Sequence, residues 1–236
     1  QAPFYFNYFP QNGTTSYFSR AFGSNLMFMV LDSGHVTTMT GTQATWITST
    51  LSSAASYRWR FSMYHVPQYS SVRSFTGDAD VVATRSAWEA LFDAGMTTAF
   101  ENHDHAGKRT KLMKSDDFDP TGVLYLGDGC MGQTPRNPDQ AGNYYLERAD
   151  GIRNYWYVEL PSDCVSGQDA VYYNYTQDGA LWDKYSRRED PTAATTLVPT
   201  GSTWKYLDTG VDQGTAWRFS SFDDSTWASG PAELGY

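Results

Sequence analysis

Four histidines occur in 236 residues, and two of them stand two apart in Phe100-Glu101-Asn102-His103-Asp104-His105-Ala106-Gly107-Lys108-Arg109-Thr110. In an extended segment alternate side chains point the same way, so His103 and His105 are expected to present both imidazoles to one face. A third, His65, ends the strand-like run Trp59-Arg60-Phe61-Ser62-Met63-Tyr64. Neutral imidazole is a good ligand for zinc, iron, manganese or nickel near neutral pH. Three imidazoles at one sheet edge suggest either one zinc ion held by all three or two neighbouring ions that clamp the oxygens of a hydrolysed bond. The second arrangement also needs a bridging carboxylate. His-x-His spacing alone equally suits histidines with a structural role. His35, after Asp32, reads as a surface or capping residue. Asp104 is expected to face away from any metal.

The elements that must position these residues follow from periodicity. Asn25 to Leu31 is a continuous apolar run of strand length, consistent with a buried strand. It ends in the polar loop Asp32-Ser33-Gly34-His35. Thr42-Gln43 opens an amphipathic helix with Trp46, Ile47, Thr50, Leu51 and Ala54 at helical spacing. A strand at 59–65 and a loop at 66–80 follow. A second helix is expected from Arg85 to Ala94, stopped by Gly95, and a short strand at 97–100 delivers His103 and His105. Strand, helix and strand in alternation indicate an α/β layer. Both histidine groups sit just past strand C-terminal ends, where open α/β sheets gather ligands. Beyond Gly122 the pattern turns antiparallel: strands at 123–126, 143–148, 153–160 and 168–176, with a short helix at 180–187. The Trp and Tyr residues of 144–185 read as core and inter-sheet packing rather than a sugar platform. At the other end, residues 4–9 and 15–19 read as short aromatic strands around a turn.

Composition narrows the function. Hydrophobic content of 40% suits a folded globular protein, and a net charge of −9 argues against nucleic acid as a partner, since phosphate backbones require basic clusters. The one basic cluster, Lys108, Arg109, Lys111 and Lys114, reads as a solvated strand face that borders the histidines. No apolar run approaches the roughly 20 residues of a membrane span. Cys130 and Cys164 are either two buried thiols or, in an exported protein, one disulfide. The chain opens at Gln1 without Met, which reads as a cut. Residues 189–202 read as a linker. The stretch from Trp204 onward reads as the start of a β module, shorter than the roughly 40 residues below which domains rarely fold unaided.

Several stretches in series resemble one family. They are Leu31-Asp32-Ser33-Gly34-His35, Gln43-Ala44-Thr45-Trp46-Ile47, Met63-Tyr64-His65-Val66-Pro67-Gln68-Tyr69, Asn102-His103-Asp104-His105-Ala106-Gly107-Lys108-Arg109 and Gly122 to Gly129. Together they resemble the C-terminal half of a calcineurin-like metallophosphoesterase, near its purple-acid-phosphatase-like branch, over about residues 5–185. The resemblance implies an α/β (α+β) fold, a partial metallophosphoesterase β-sandwich flanked by helices. It implies two divalent or trivalent metal ions (Fe, Zn or Mn), with His65 and His103 on one and His105 on the other. Arg109 would face the phosphate of a small ester substrate, hydrolysed by water that the ions activate. Two departures stand out. Asn102 replaces the family's glycine, and the family's acidic and Asn-His motifs do not occur here. The chain is therefore expected to be a fragment, inefficient by itself. Trp204 to Tyr236 resembles the first strands of a galactose-binding-like β-sandwich. The implied division is 1–188 phosphoesterase part, 189–202 linker and 203–236 incomplete all-β segment. The implied location is secreted or periplasmic, with neither nucleic acid nor membrane as partner. The rival reading is a non-catalytic secreted β-rich, carbohydrate-binding protein with structural histidines.

Overall fold

The apolar run at 26–30 packs on both faces. Met27 and Met29 pack beneath helices, while Leu26 and Phe28 turn to a second sheet. Such two-sided burial makes a strand uniformly hydrophobic rather than alternating. The computed structural model describes residues 15–127, 130, 132–139, 142–161, 169–188, 201–212, 214 and 222–231. Asp128, Cys164, the aromatic run at 4–9 and the expected linker at 189–200 lie outside them.

Among the described residues, an eight-stranded sheet comprises β1 (Phe18–Phe22), β2 (Leu26–Val30), β3 (Trp59–Met63), β4 (Thr98–Glu101), β5 (Gly107–Lys114), β6 (Asp117–Phe118), β7 (Val123–Gly127) and β8 (Leu146–Asp150). Its order is β1-β2-β3-β4-β7-β5-β6, with β8 also paired to β5. β2, β3, β4 and β7 run parallel, and β1 and β5 run antiparallel to their neighbours. Two helices, α1 (Thr42–Ser53) and α2 (Ala79–Asp93), cross between the parallel strands. Ile47, Leu51, Trp88 and Phe92 bring both helices into the core on one face of the sheet. A three-stranded antiparallel sheet covers part of the other face: β9 (Asn154–Glu159), β10 (Asp169–Thr176) and β11 (Leu181–Arg188), in the order β11-β10-β9. Ala170 and Tyr172 pack there on Trp59, Phe61, Leu124 and Leu126. The fold is mixed α/β, as the sequence implied.

Four local expectations change. α2 begins six residues earlier than its apolar face suggested, because Asp78 caps it, accepting from the Asp80 and Val81 amides. Residues 181–188 are a strand, not a helix. Val171 to Tyr175 pair along β11, and Trp182 and Tyr185 favour that extended state. Lys108 of the basic cluster is buried rather than solvated. The aromatic residues of 144–185 divide: Tyr145 and Tyr172 are core, while Tyr155 and Tyr157 stand exposed on the outer side of the small sheet.

The chain forms two compact units, Gln1–Ala193 and Ala194–Tyr236. In the second, β12 (Thr203–Tyr206) pairs antiparallel with β13 (Ala228–Pro231). Residues 222–227 form a turn, with the Ser225 amide on the Asp223 carboxylate.

Candidate functional site

β3 and β4 end side by side, and each continues into a loop that carries a histidine. Three bonds join the two exits. The Tyr64 amide donates to the Phe100 carbonyl at 3.1 Å, the Asn102 amide to the His65 carbonyl at 3.1 Å, and the Asn102 side-chain amide to the Tyr64 carbonyl at 2.8 Å. The last bond is one a glycine at position 102 has no atom to make.

The result is an imidazole pair. His103 Nδ1 lies 2.8 Å from His65 Nε2, and their ring centroids are 4.6 Å apart. A third ring, His35, meets His65 edge-on at 5.0 Å. His35 is placed by Asp32, whose buried carboxylate accepts the amides of His35, Val36 and Thr37 at 2.8–3.1 Å. Burial would raise the Asp32 pKa, but the Ser16 hydroxyl and those amides outweigh it and hold the pKa below the usual value. Gln43 secures the same loop through the Asp32 amide and carbonyl, both at 2.9 Å.

His103 and His105 do not lie in an extended segment. Both have left-handed backbones, with φ of 73° and 58°, so the simple alternation expected for two residues apart fails. Left-handed non-glycine residues cost of order 1 kcal/mol or more and persist where their surroundings enforce them. Here the enforcing group is Asp104. Its buried carboxylate accepts the Ser71 amide at 2.5 Å and the Val72 amide at 3.3 Å, and pairs with Arg73 Nη1 at 3.1 Å. Arg73 Nη1 also donates to the His103 carbonyl at 2.9 Å, and Arg136 Nη1 reaches the same oxygen at 3.2 Å. The Arg136 amide donates to the His105 carbonyl at 2.9 Å.

Beneath the rim lies a buried ion pair. Glu101 Oε2 takes Lys108 Nζ at 2.7 Å, while its Oε1 accepts the Tyr64 hydroxyl and the Gln68 amide, each at 2.6 Å. Lys108 also donates to the Tyr69 carbonyl. The loop that carries His65 is thereby bound from below to the strand that leaves the histidine turn.

Both rings of the pair hold protons weakly. Burial first, then the neighbouring His103, His35 and Arg73, push His65 down to about 4. Burial and Arg73 lower His103, partly offset by Asp104. Near neutral pH both rings are therefore neutral donors. The 2.8 Å separation is that of a hydrogen bond between the rings. Two nitrogens on one zinc ion at about 2.0–2.1 Å stand roughly 3.3 Å apart in a tetrahedral shell, so the rings would part by roughly 0.5 Å to share an ion. Among the described residues, however, no three His, Cys, Asp or Glu side chains are grouped to hold a metal.

Arg109, expected to face phosphate, has its guanidinium on Asp183, with Nε at 2.7 Å and Nη2 at 3.2 Å, and lies over the Tyr185 ring. It ties β5 to β11 across the sandwich. The sequence marks Gln43 as the opening of a helix and gives no sign of Arg73 or Arg136. Cys130 is buried and its thiol donates to the Ile152 carbonyl at 2.7 Å.

This architecture corresponds to part of a metallophosphoesterase-like fold. Purple acid phosphatase PPD1 from yellow lupin (Lupinus luteus) seeds is similar at a TM-score of 0.59 and 15% identity, over 72% of this chain and 32% of that one. GAP50, the anchor in the inner membrane complex of Plasmodium, is similar at 0.52 and 14% identity, over 73% of this chain and 53% of that one. PhoD aligns at 0.47 and 12% identity, over 74% and 44%. The chain thus spans about a third to a half of the length of these structures. No protein-family model and no curated protein sequence matches it.

Proposed function

We propose that the chain carries part of the active site of a metal-dependent phosphoric ester hydrolase. One observation carries this reading: two proton-poor imidazoles face each other 2.8 Å apart at the C-terminal ends of neighbouring parallel strands, on a fold shared in part with a purple acid phosphatase. His65 and His103 are assigned to one ion and His105 to a second, with Fe, Zn or Mn as candidates. Bound ions would polarise the ester and lower the pKa of water. The chain's own residues present the nitrogens, fix the strained turn and surround it with guanidinium groups. A dinuclear centre needs more ligands than these three, so residues 1–236 are assigned as a fragment that turns over phosphate esters poorly alone. The remainder of the proposal is a small phosphate-ester substrate, an exported location, a linker near 189–202 and a galactose-binding-like module begun at 203. Among the described residues, no helix is long and apolar enough to cross a membrane.

Calorimetric titration with zinc and with manganese tests the assignment. Uptake that falls at least tenfold in both His65→Ala and His103→Ala is the expected result. Equal uptake by the wild type and both variants would refute a metal role for the pair. A second reading has its own support: no complete ligand cluster occurs among the described residues, and one similar structure is described as an anchor. On that reading the chain is a non-catalytic scaffold, and the wild type takes up no metal at all.

A further inference from the structure

Two guanidinium groups converge on one backbone oxygen, the carbonyl of His103. Their circumstances differ. Arg73 is partly buried and neutralised, lying 3.1 Å from Asp104 and 3.7 Å from Asp78. Arg136 is exposed, and among the described residues no carboxylate lies within ion-pair distance of it. Yet it is not a loose surface cation. Its own amide is bonded to the His105 carbonyl and its Nη1 to the His103 carbonyl, so both ends of the residue are pinned to the histidine turn. A guanidinium has five N–H donors in a rigid fork. The bond from Nη1 to the His103 carbonyl engages one of these donors, and the residue is exposed to water. In a chain of net charge −9, a cation pre-positioned by two bonds and without a carboxylate partner among the described residues stands out.

We infer that Arg136, with Arg73 behind it, forms an oxyanion-binding edge on the histidine rim that takes the phosphoryl group of a phosphoric ester. The inference rests on the hydrolase reading for the identity of the anion, because planar forked donors match phosphate oxygens bidentately. It replaces Arg109 in that role, since the Arg109 fork is already occupied by Asp183. Arg73 fixes the shared carbonyl and so the place of the fork. Arg136 makes the contact.

The probe is inorganic phosphate, titrated calorimetrically at low ionic strength so that an exposed charge is not screened, once with zinc and once with chelator. The wild type should bind phosphate saturably in the millimolar range. Arg136→Ala should weaken binding about tenfold, and Arg136→Lys should restore only part, because a point charge lacks the fork. Arg148→Ala removes another exposed arginine, paired to Asp183 at 3.6 Å, and should change nothing. Equal affinities across all four proteins, or no saturable binding by the wild type, would overturn the anion site. Zinc uptake on the same samples separates the two ideas. Retained uptake with an inert Arg136→Ala sinks this inference alone. Phosphate binding that depends on Arg136 in a protein that takes up no metal keeps the anion site and removes the hydrolase.

Discussion

Replacing Lys108 with Met should be among the more damaging single changes available to the larger unit. Lys108 and Glu101 are each about 1% exposed and meet at 2.7 Å. Removing one partner of such a pair leaves the other charge buried without compensation, which typically costs about 3–5 kcal/mol. The change also strips the Tyr69 carbonyl of its donor. In a domain of this size each kcal/mol lowers Tm by about 2–4 °C, so a fall of roughly 6–20 °C is expected. Glu101→Gln together with Lys108→Met should recover much of that loss. Glutamine keeps an oxygen for the Tyr64 hydroxyl and the Gln68 amide, and the methionine fills the lysine's volume without a charge. Urea unfolding followed by tryptophan fluorescence reads the cycle, since Trp59 and Trp88 are fully buried. A Lys108→Met variant within about 1 kcal/mol of wild type, with no coupling in the cycle, would refute the view that this pair holds the histidine loops.

Two further outcomes follow from the same core. Asp104 has its pKa lowered: burial alone would raise it, but the Lys108 charge, the Ser71 and Val72 amides and Arg73 prevail. A depressed carboxylate contributes stability above its unfolded pKa of about 3.9 and loses it as the pH falls through the lower folded value. Asp104→Asn should therefore cost about 1–3 kcal/mol at neutral pH and flatten the acid limb of the stability profile below about pH 4; an unchanged acid limb would count against the clamp. Gly122→Ala should lower stability by at least about 2 kcal/mol, because its Cβ would come within 2.5 Å of the Met113 carbonyl oxygen. A thermal melt that matches wild type would show that the backbone there yields.

The parallel half was legible because burial on both faces writes itself into sequence. Asn25 to Leu31 and Val123 to Leu126 are apolar without interruption, and α1 shows its stripe. The helix at 180–187 was misread because Leu181, Trp182 and Tyr185 fit either period over so short a span, and only pairing with β10 decides between them. At the site, the residue types were readable and the backbone was not. The left-handed turns at His103 and His105 depend on Asp104 reaching across to Ser71 and Val72, contacts thirty-odd positions away that no local pattern reports. Arg109 was read by its place next to the histidines, whereas strand alternation sends it to the opposite face from Lys108 and onto Asp183. Arg136 has no periodic signal; two bonds to histidine carbonyls bring it to the rim.

The strand order β4-β7-β5 puts the two legs of the histidine arch in separate lanes. The chain climbs β4, passes over the top as the histidine turn, and descends β5, with residues 123–127 filling the lane between. The arch is thus propped open by a segment that contributes none of its histidines, while the reach from His103 to His65 is set on the other flank, where β4 meets β3.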